Sequence, residues 1–151
     1  MEKKSLYDSQ VYEECTKRVQ KLTEDMPAQW GSMNSAQMLA HCSEILEVSN
    51  GKELKNTPFL AKLFKGYIRK MVVGEKPYGK GTKTHPQYLQ RDPRDFQEQK
   101  SRLLSSLDTF HTMDKQQATG IRHAMFGTMS LEERGWSAYK HLDHHLTQFG
   151  V

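Results

Sequence analysis

The sequence predicts an all-α protein in which four long helices form a bundle and one extra short helix packs outside it. Apolar residues recur every three or four positions in five segments, helix-capping signatures precede several of them, and no stretch alternates apolar and polar residues long enough to argue for a sheet. At 151 residues the chain has the length of one domain, residues 1–151, and 36% hydrophobic with 26% charged residues is ordinary for a folded globule rather than a disordered chain.

The first helix is expected from about Ser5 to Glu24, where Val11, Cys15, Val19 and Leu22 mark one face. Asp25, Met26, Pro27 and Gly31 then break the pattern, because proline resists an interior helical position and glycine tolerates turn dihedrals. A loop carrying Trp30 follows. Asn34 can cap the second helix, with Gln37 placed to bond back to the cap backbone. Met38, His41, Ile45 and Val48 share one side of it, widened by Leu39, Cys42 and Leu46, and Gly51 is its expected stop.

Thr57 and Pro58 predict the start of the short helix, since proline at the first helical position loses no backbone bond. Leu60, Leu63, Phe64, Tyr67, Ile68 and Met71 carry it as an amphipathic stripe to about Val73, and Gly74 ends it. From Glu75 to Asp92 the breakers Pro77, Gly79, Gly81 and Pro86 leave little periodicity, which predicts a long surface excursion. Asp92 and Pro93 open the next long helix, traced by Phe96, Leu103, Leu107 and Phe110 to about Met113. A loop with Gly120, His123 and Gly127 precedes the last helix, which a Ser130 to Glu133 capping box opens and which runs to about Phe149, weakened early by Gly135.

A net charge of +4 permits weak attraction to polyanions without forming a long basic tract. Lys62, Lys65, Arg69 and Lys70 form the densest stretch and are read as the solvated side of the short helix, so neither a nucleic-acid nor a membrane partner is expected. No apolar run approaches the roughly 20 residues of a membrane span. Two cysteines and the charged start Met1-Glu2-Lys3-Lys4 point to reduced thiols and a cytoplasmic location. A homodimer is a mild expectation from the general habits of soluble proteins.

Three of seven histidines, His141, His144 and His145, crowd the last helix. His141 and His145 stand four apart, so they stack on one face, beside the apolar side formed by Tyr139, Leu142 and Leu146. Inward imidazoles need partners, because unpaired ring nitrogens in an apolar core are costly. A metal supplies them, with His41 of the second helix as the third ligand; zinc or nickel suits three neutral imidazoles. The alternative has each histidine as a core residue satisfied by a carbonyl, carboxylate or water. Cys42, about 100° around the helix from His41, is read as a small core residue.

The segment Gln37-Met38-Leu39-Ala40-His41, together with His141, His145 and the following Leu146-Thr147-Gln148, resembles the DinB/YfiT-like superfamily. The likeness is closer to one uncharacterised branch through Trp30 to Asn34, His123 to Ser130 and Tyr139 to Gly150, although Ala124 stands where that branch favours proline. The resemblance implies a four-helix bundle with long crossover connections, a three-histidine metal site, and an association with low-molecular-weight thiol transfer.

Three protein ligands leave an ion an open position, which suits hydrolysis or activation of a thiol on a small-molecule substrate. His123 is the candidate catalytic residue, as a group reaching that open position; His144 could do the same, and Asp143 could orient a ligand imidazole. The competing class is a non-catalytic bundle, metal-stabilised or metal-free, for ligand binding or dimerisation; a structural metal site would be closed by a fourth ligand, from His123 or a carboxylate.

Overall fold

The computed structural model describes residues 2–151, and among them every regular element is helical. In chain order these are α1 (Ser9–Lys21), α2 (Ser35–Ser49), α3 (Phe59–Leu63), α4 (Lys65–Val73), α5 (Phe96–Thr112), α6 (Lys115–Gly120) and α7 (Leu131–Gln148). The four long ones form the bundle. α2 packs on α5 and α7, and α1 packs on the same two, so α1 faces α2 across one diagonal and α5 faces α7 across the other. One buried cluster fills the middle, with Cys15 and Val19, Met38, Leu39 and Leu46, Leu103 and Phe110, and Trp136, Leu142 and Leu146 as contributions from the four helices.

Local chemistry sets the boundaries. Both expected capping boxes form: Asn34 with Gln37 opens α2 and Ser130 with Glu133 opens α7. Elsewhere the caps move. The Asp8 carboxylate accepts from the Gln10 and Val11 N–H groups, so α1 begins at Ser9 rather than Ser5. Asp95, not Asp92, caps α5 by accepting from the Glu98 N–H at 2.7 Å. Asp114 caps a helix, α6, inside a stretch expected to be loop.

The short helix expected from Pro58 to Val73 is two, divided at Phe64, and Pro58 stands one position before the first turn. Its apolar stripe does not point inward as a whole: Leu60, Leu63, Phe64 and Tyr67 are exposed, as is the adjoining Phe59, because α3 leans only on α4, and α4 in turn on α7. Gly135, expected to weaken α7, is there for a close approach. A Cβ at that position would collide with the Ser5 hydroxyl and Tyr7 ring of the N-terminal segment, whose Leu6 N–H donates to the Gly135 carbonyl at 3.3 Å.

The excursion after Gly74 is not a simple surface loop. It carries a 3-10 turn at Pro86–Tyr88 that docks on α2. Gln87 fastens it there: its amide nitrogen donates to Glu44 at 2.9 Å and to the Glu53 carbonyl at 3.1 Å, while its amide oxygen accepts from the Lys55 N–H at 2.7 Å. Glu44 is itself held by Arg102 of α5 and by Lys52, both at 2.7 Å. At the other end of the excursion the Lys140 ammonium, buried in α7, donates to the Met71 and Gly74 carbonyls at 2.7 and 2.8 Å and so closes the C-terminus of α4.

Candidate metal centre

The α2–α7 contact brings His41 against His141 and His145. One ring nitrogen from each of the three lies within 4.8 Å of the other two, and this group could hold a metal ion. Nε2 of His41 and Nε2 of His141 are 3.1 Å apart, and the His141 and His145 rings, one turn apart on α7, have centroids 4.7 Å apart.

Hydrogen bonds on the far side of two rings fix their tautomers. Nδ1 of His41 is 2.8 Å from the Tyr88 carbonyl, which can only accept, so Nδ1 carries the hydrogen and Nε2 keeps its lone pair. Nδ1 of His145 likewise donates to Oε1 of Gln148 at 2.8 Å, and the Gln148 amide nitrogen donates to the Trp30 carbonyl at 2.6 Å. Partners of this kind orient metal-ligating histidines and raise their basicity. Gly31 makes room for the second chain: its φ is +84°, and a Cβ there would sit 2.6 Å from the Gln148 amide nitrogen.

Burial holds the imidazoles neutral. It pushes His145 down to about 3, and His141 well below the ordinary histidine range with further push from the neighbouring His145, His41 and His144. For His41, burial outweighs the opposing effect of the Tyr88 carbonyl. Neutral imidazole is the form that ligates a metal. The donor set fits one: with Nε2 of His41 and of His145 both unprotonated, a single hydrogen on His141 cannot satisfy both, whereas ligand nitrogens around a tetrahedral ion at about 2.0 to 2.1 Å lie roughly 3.3 Å from one another, close to the observed 3.1 Å.

The three histidines open onto a cavity of about 650 Å³. Trp30, Tyr78, Tyr88 and Phe126 wall it, together with His123 and His144. The chain has 18 acidic residues, yet no aspartate or glutamate lines this cavity.

His123 lines the cavity outside the three-histidine group. Its Nδ1 accepts from the Met125 and Phe126 N–H groups at 3.2 and 3.3 Å, its ring stacks on Phe126, and burial pushes it down to about 4. Nε2 therefore carries the hydrogen, which makes the ring a donor. His144 lies edge-on to Trp30 and Tyr78, with centroids 5.8 Å away in each case.

Asp143 does not orient a ligand. It sits 2.7 Å from the Arg18 guanidinium of α1, which also donates to the Val151 carbonyl at 2.8 Å, because its side of α7 faces α1 rather than α2. The orienting groups are instead Tyr88 and Gln148. Cys42 is fully buried with Sγ 3.7 Å from Sδ of Met38, and burial pushes its thiol up, as suits a core residue. Tyr78, Tyr88 and the Trp30 carbonyl carry no signal in the sequence, since they sit in segments without periodicity and two of the contacts use only backbone or ring faces.

A family model described as a protein of unknown function, DUF1569, matches residues 1–150. No curated protein matches the chain, and no solved structure does.

Proposed function

The chain belongs to the DUF1569 family, whose description assigns no activity, and from its three-histidine centre we propose a metal-dependent enzyme of the DinB-like type that transfers a low-molecular-weight thiol to a small molecule. Zinc or nickel is the proposed ion, held by His41, His141 and His145. One observation carries the reading: three neutral imidazoles meet at a cavity that offers no carboxylate as a closing ligand. When bound, a divalent ion with an open position supplies the Lewis acidity that favours the anionic form of a thiol or of water.

Thiol transfer is favoured over hydrolysis because no carboxylate lines the cavity to act as general base and His123, its Nδ1 occupied by the Met125 and Phe126 N–H groups, presents a donor rather than a base. The chain's own groups bind and orient the second substrate. His123 offers a ring N–H, and the buried Trp30 indole Nε1 has no hydrogen-bond partner on a residue that lines the cavity. Tyr78 and Phe126 provide apolar walls that exclude water.

Elemental analysis of protein purified without a histidine tag or chelator tests the reading, alongside His41→Ala and His141→Ala. The expected result is close to one ion per chain, lost in both variants, with helical content retained by circular dichroism. Wild-type protein that cannot be loaded with zinc, nickel, manganese or iron would remove the metal, and the proposed chemistry with it.

A further inference from the structure

α3 and α4 present the one concentrated apolar surface of the described residues. Six large hydrophobic residues are exposed in all, and Phe59, Leu60, Leu63, Phe64 and Tyr67 account for five of them, each between 56% and 77% accessible. Scattered exposed hydrophobics are ordinary, but a contiguous cluster marks an interaction site. At about 100° per residue these five fall within a sector of roughly 140° on one side of α3–α4. Another side faces inward, where Ala61, Ile68 and Val72 wall the cavity.

The charge around the patch has one sign. Between Leu54 and Gly74 the chain carries Lys55, Lys62, Lys65, Arg69 and Lys70 and no acidic residue. Arg69 is committed to Glu133 at 2.8 Å and Lys55 pairs with Glu53 at 3.5 Å, which leaves Lys62, Lys65 and Lys70; on the same reckoning Lys62 falls beside the apolar sector and Lys70 just inside its edge, while Lys65 lies on the opposite side. Stacking two copies on this face would bring like charges together. Bases of a single-stranded nucleic acid would find Leu60 and Leu63 in the middle of the stripe, where stacking needs aromatic rings. Protein interfaces favour arginine and are depleted in lysine. An apolar helix face bordered by free lysines is instead the composition of a helix lying in the boundary of an anionic lipid layer.

We propose that α3–α4 is a peripheral docking surface for anionic lipid bilayers, with Phe59, Leu60, Leu63, Phe64 and Tyr67 entering the headgroup boundary and Lys62 and Lys70 meeting lipid phosphates. The same helices wall the cavity, so docking sets the metal centre against the lipid surface. This proposal is independent of the identity of the metal and of the reaction.

Cosedimentation of the full chain with phosphatidylcholine vesicles, with and without about one third phosphatidylglycerol, tests it. Partitioning at least about tenfold stronger onto the anionic vesicles is expected, weakening as salt rises. Lys62→Glu with Lys70→Glu should reduce it by about tenfold or more, and Leu63→Ser with Phe64→Ser should abolish it. Tyr67→Trp, a minimal change, should blue-shift its emission on anionic vesicles only. The proposal is overturned by absence of partitioning at low salt, by double variants that bind as well as wild type, by preference for single-stranded RNA in competition, or by a dimer that Leu63→Ser with Phe64→Ser dissociates. A Tyr67→Trp emission that anionic vesicles leave unchanged overturns it even where the double variants fail to fold.

Discussion

The backbone carbonyl of Tyr88 lies 2.8 Å from Nδ1 of His41, so an excursion without helical periodicity sets the tautomer of a histidine on α2. The direction of the His41 Nε2 lone pair, toward His141, thus depends on how residues 75–95 dock, and that docking runs through Gln87 to Glu44, Glu53 and Lys55.

Gln87→Ala should loosen the excursion while leaving the bundle intact. Amide exchange over residues 78–91 is expected to accelerate, and metal affinity to fall about tenfold as the His41 ring loses its carbonyl partner. Unchanged exchange and affinity would show that the 3-10 turn docks without its glutamine.

Gln148→Leu removes the acceptor of the His145 Nδ1–H and the donor to the Trp30 carbonyl together. A 10- to 100-fold loss of metal affinity, measured by competition with a chromophoric chelator, is about what loss of such a partner costs. Gly31→Ala should act in the same direction, because its Cβ would sit 2.6 Å from the Gln148 amide nitrogen and its φ of +84° resists a side chain.

Acid should destabilise the metal-free protein earlier than its carboxylates alone require. Burial holds His145 down to about 3 and His123 to about 4 in the folded state, whereas unfolded histidine titrates near 6.5. A folded value below the unfolded one means that the unfolded chain binds more protons under pH 6.5. The stability is therefore fully present above 6.5 and is lost as the pH falls toward the folded values. Each of the two groups should remove about 1.4 kcal/mol between roughly pH 7.5 and 5.5. Urea melts across that window check the slope, and His123→Asn should flatten it.

Lys140→Met should destabilise the protein by about 1 to 3 kcal/mol, since it leaves the Met71 carbonyl without its buried donor and the Gly74 carbonyl with only the longer Trp136 indole contact at 3.3 Å. A shift of the denaturation midpoint at constant slope measures it. A neutral outcome would mean that water takes the ammonium's place.

Gly135→Ala should cost about 1 to 3 kcal/mol by overpacking against Ser5 and Tyr7. Pairing it with Ser5→Gly should recover part of the loss, because that removes the nearest colliding side chain. A strictly additive double variant would place the strain elsewhere.

The helices, two of their caps and the histidine spacing could be read from the sequence because each is local. The boxes at Asn34 with Gln37 and at Ser130 with Glu133 act over three residues, and four positions along a helix bring His141 over His145 whatever else surrounds them. The inward face of α2 likewise placed His41 in reach. Tertiary structure alone decided how that site is held and what lies around it. The groups that orient its imidazoles are a backbone carbonyl at Tyr88 and a glutamine chained to the Trp30 carbonyl, and every residue owns a carbonyl, so no side-chain pattern announces one. Asp143, adjacent to the cluster in sequence, faces Arg18 because α1 flanks that side of α7. The stripe from Phe59 to Tyr67 shows the same limit from outside the site: its periodicity specifies an apolar helix face, but only the placement of α3 beside α4, away from the bundle, leaves that face exposed to solvent. Periodicity fixes the relative angles of side chains on one helix, whereas what each face meets depends on contacts between segments far apart in the chain.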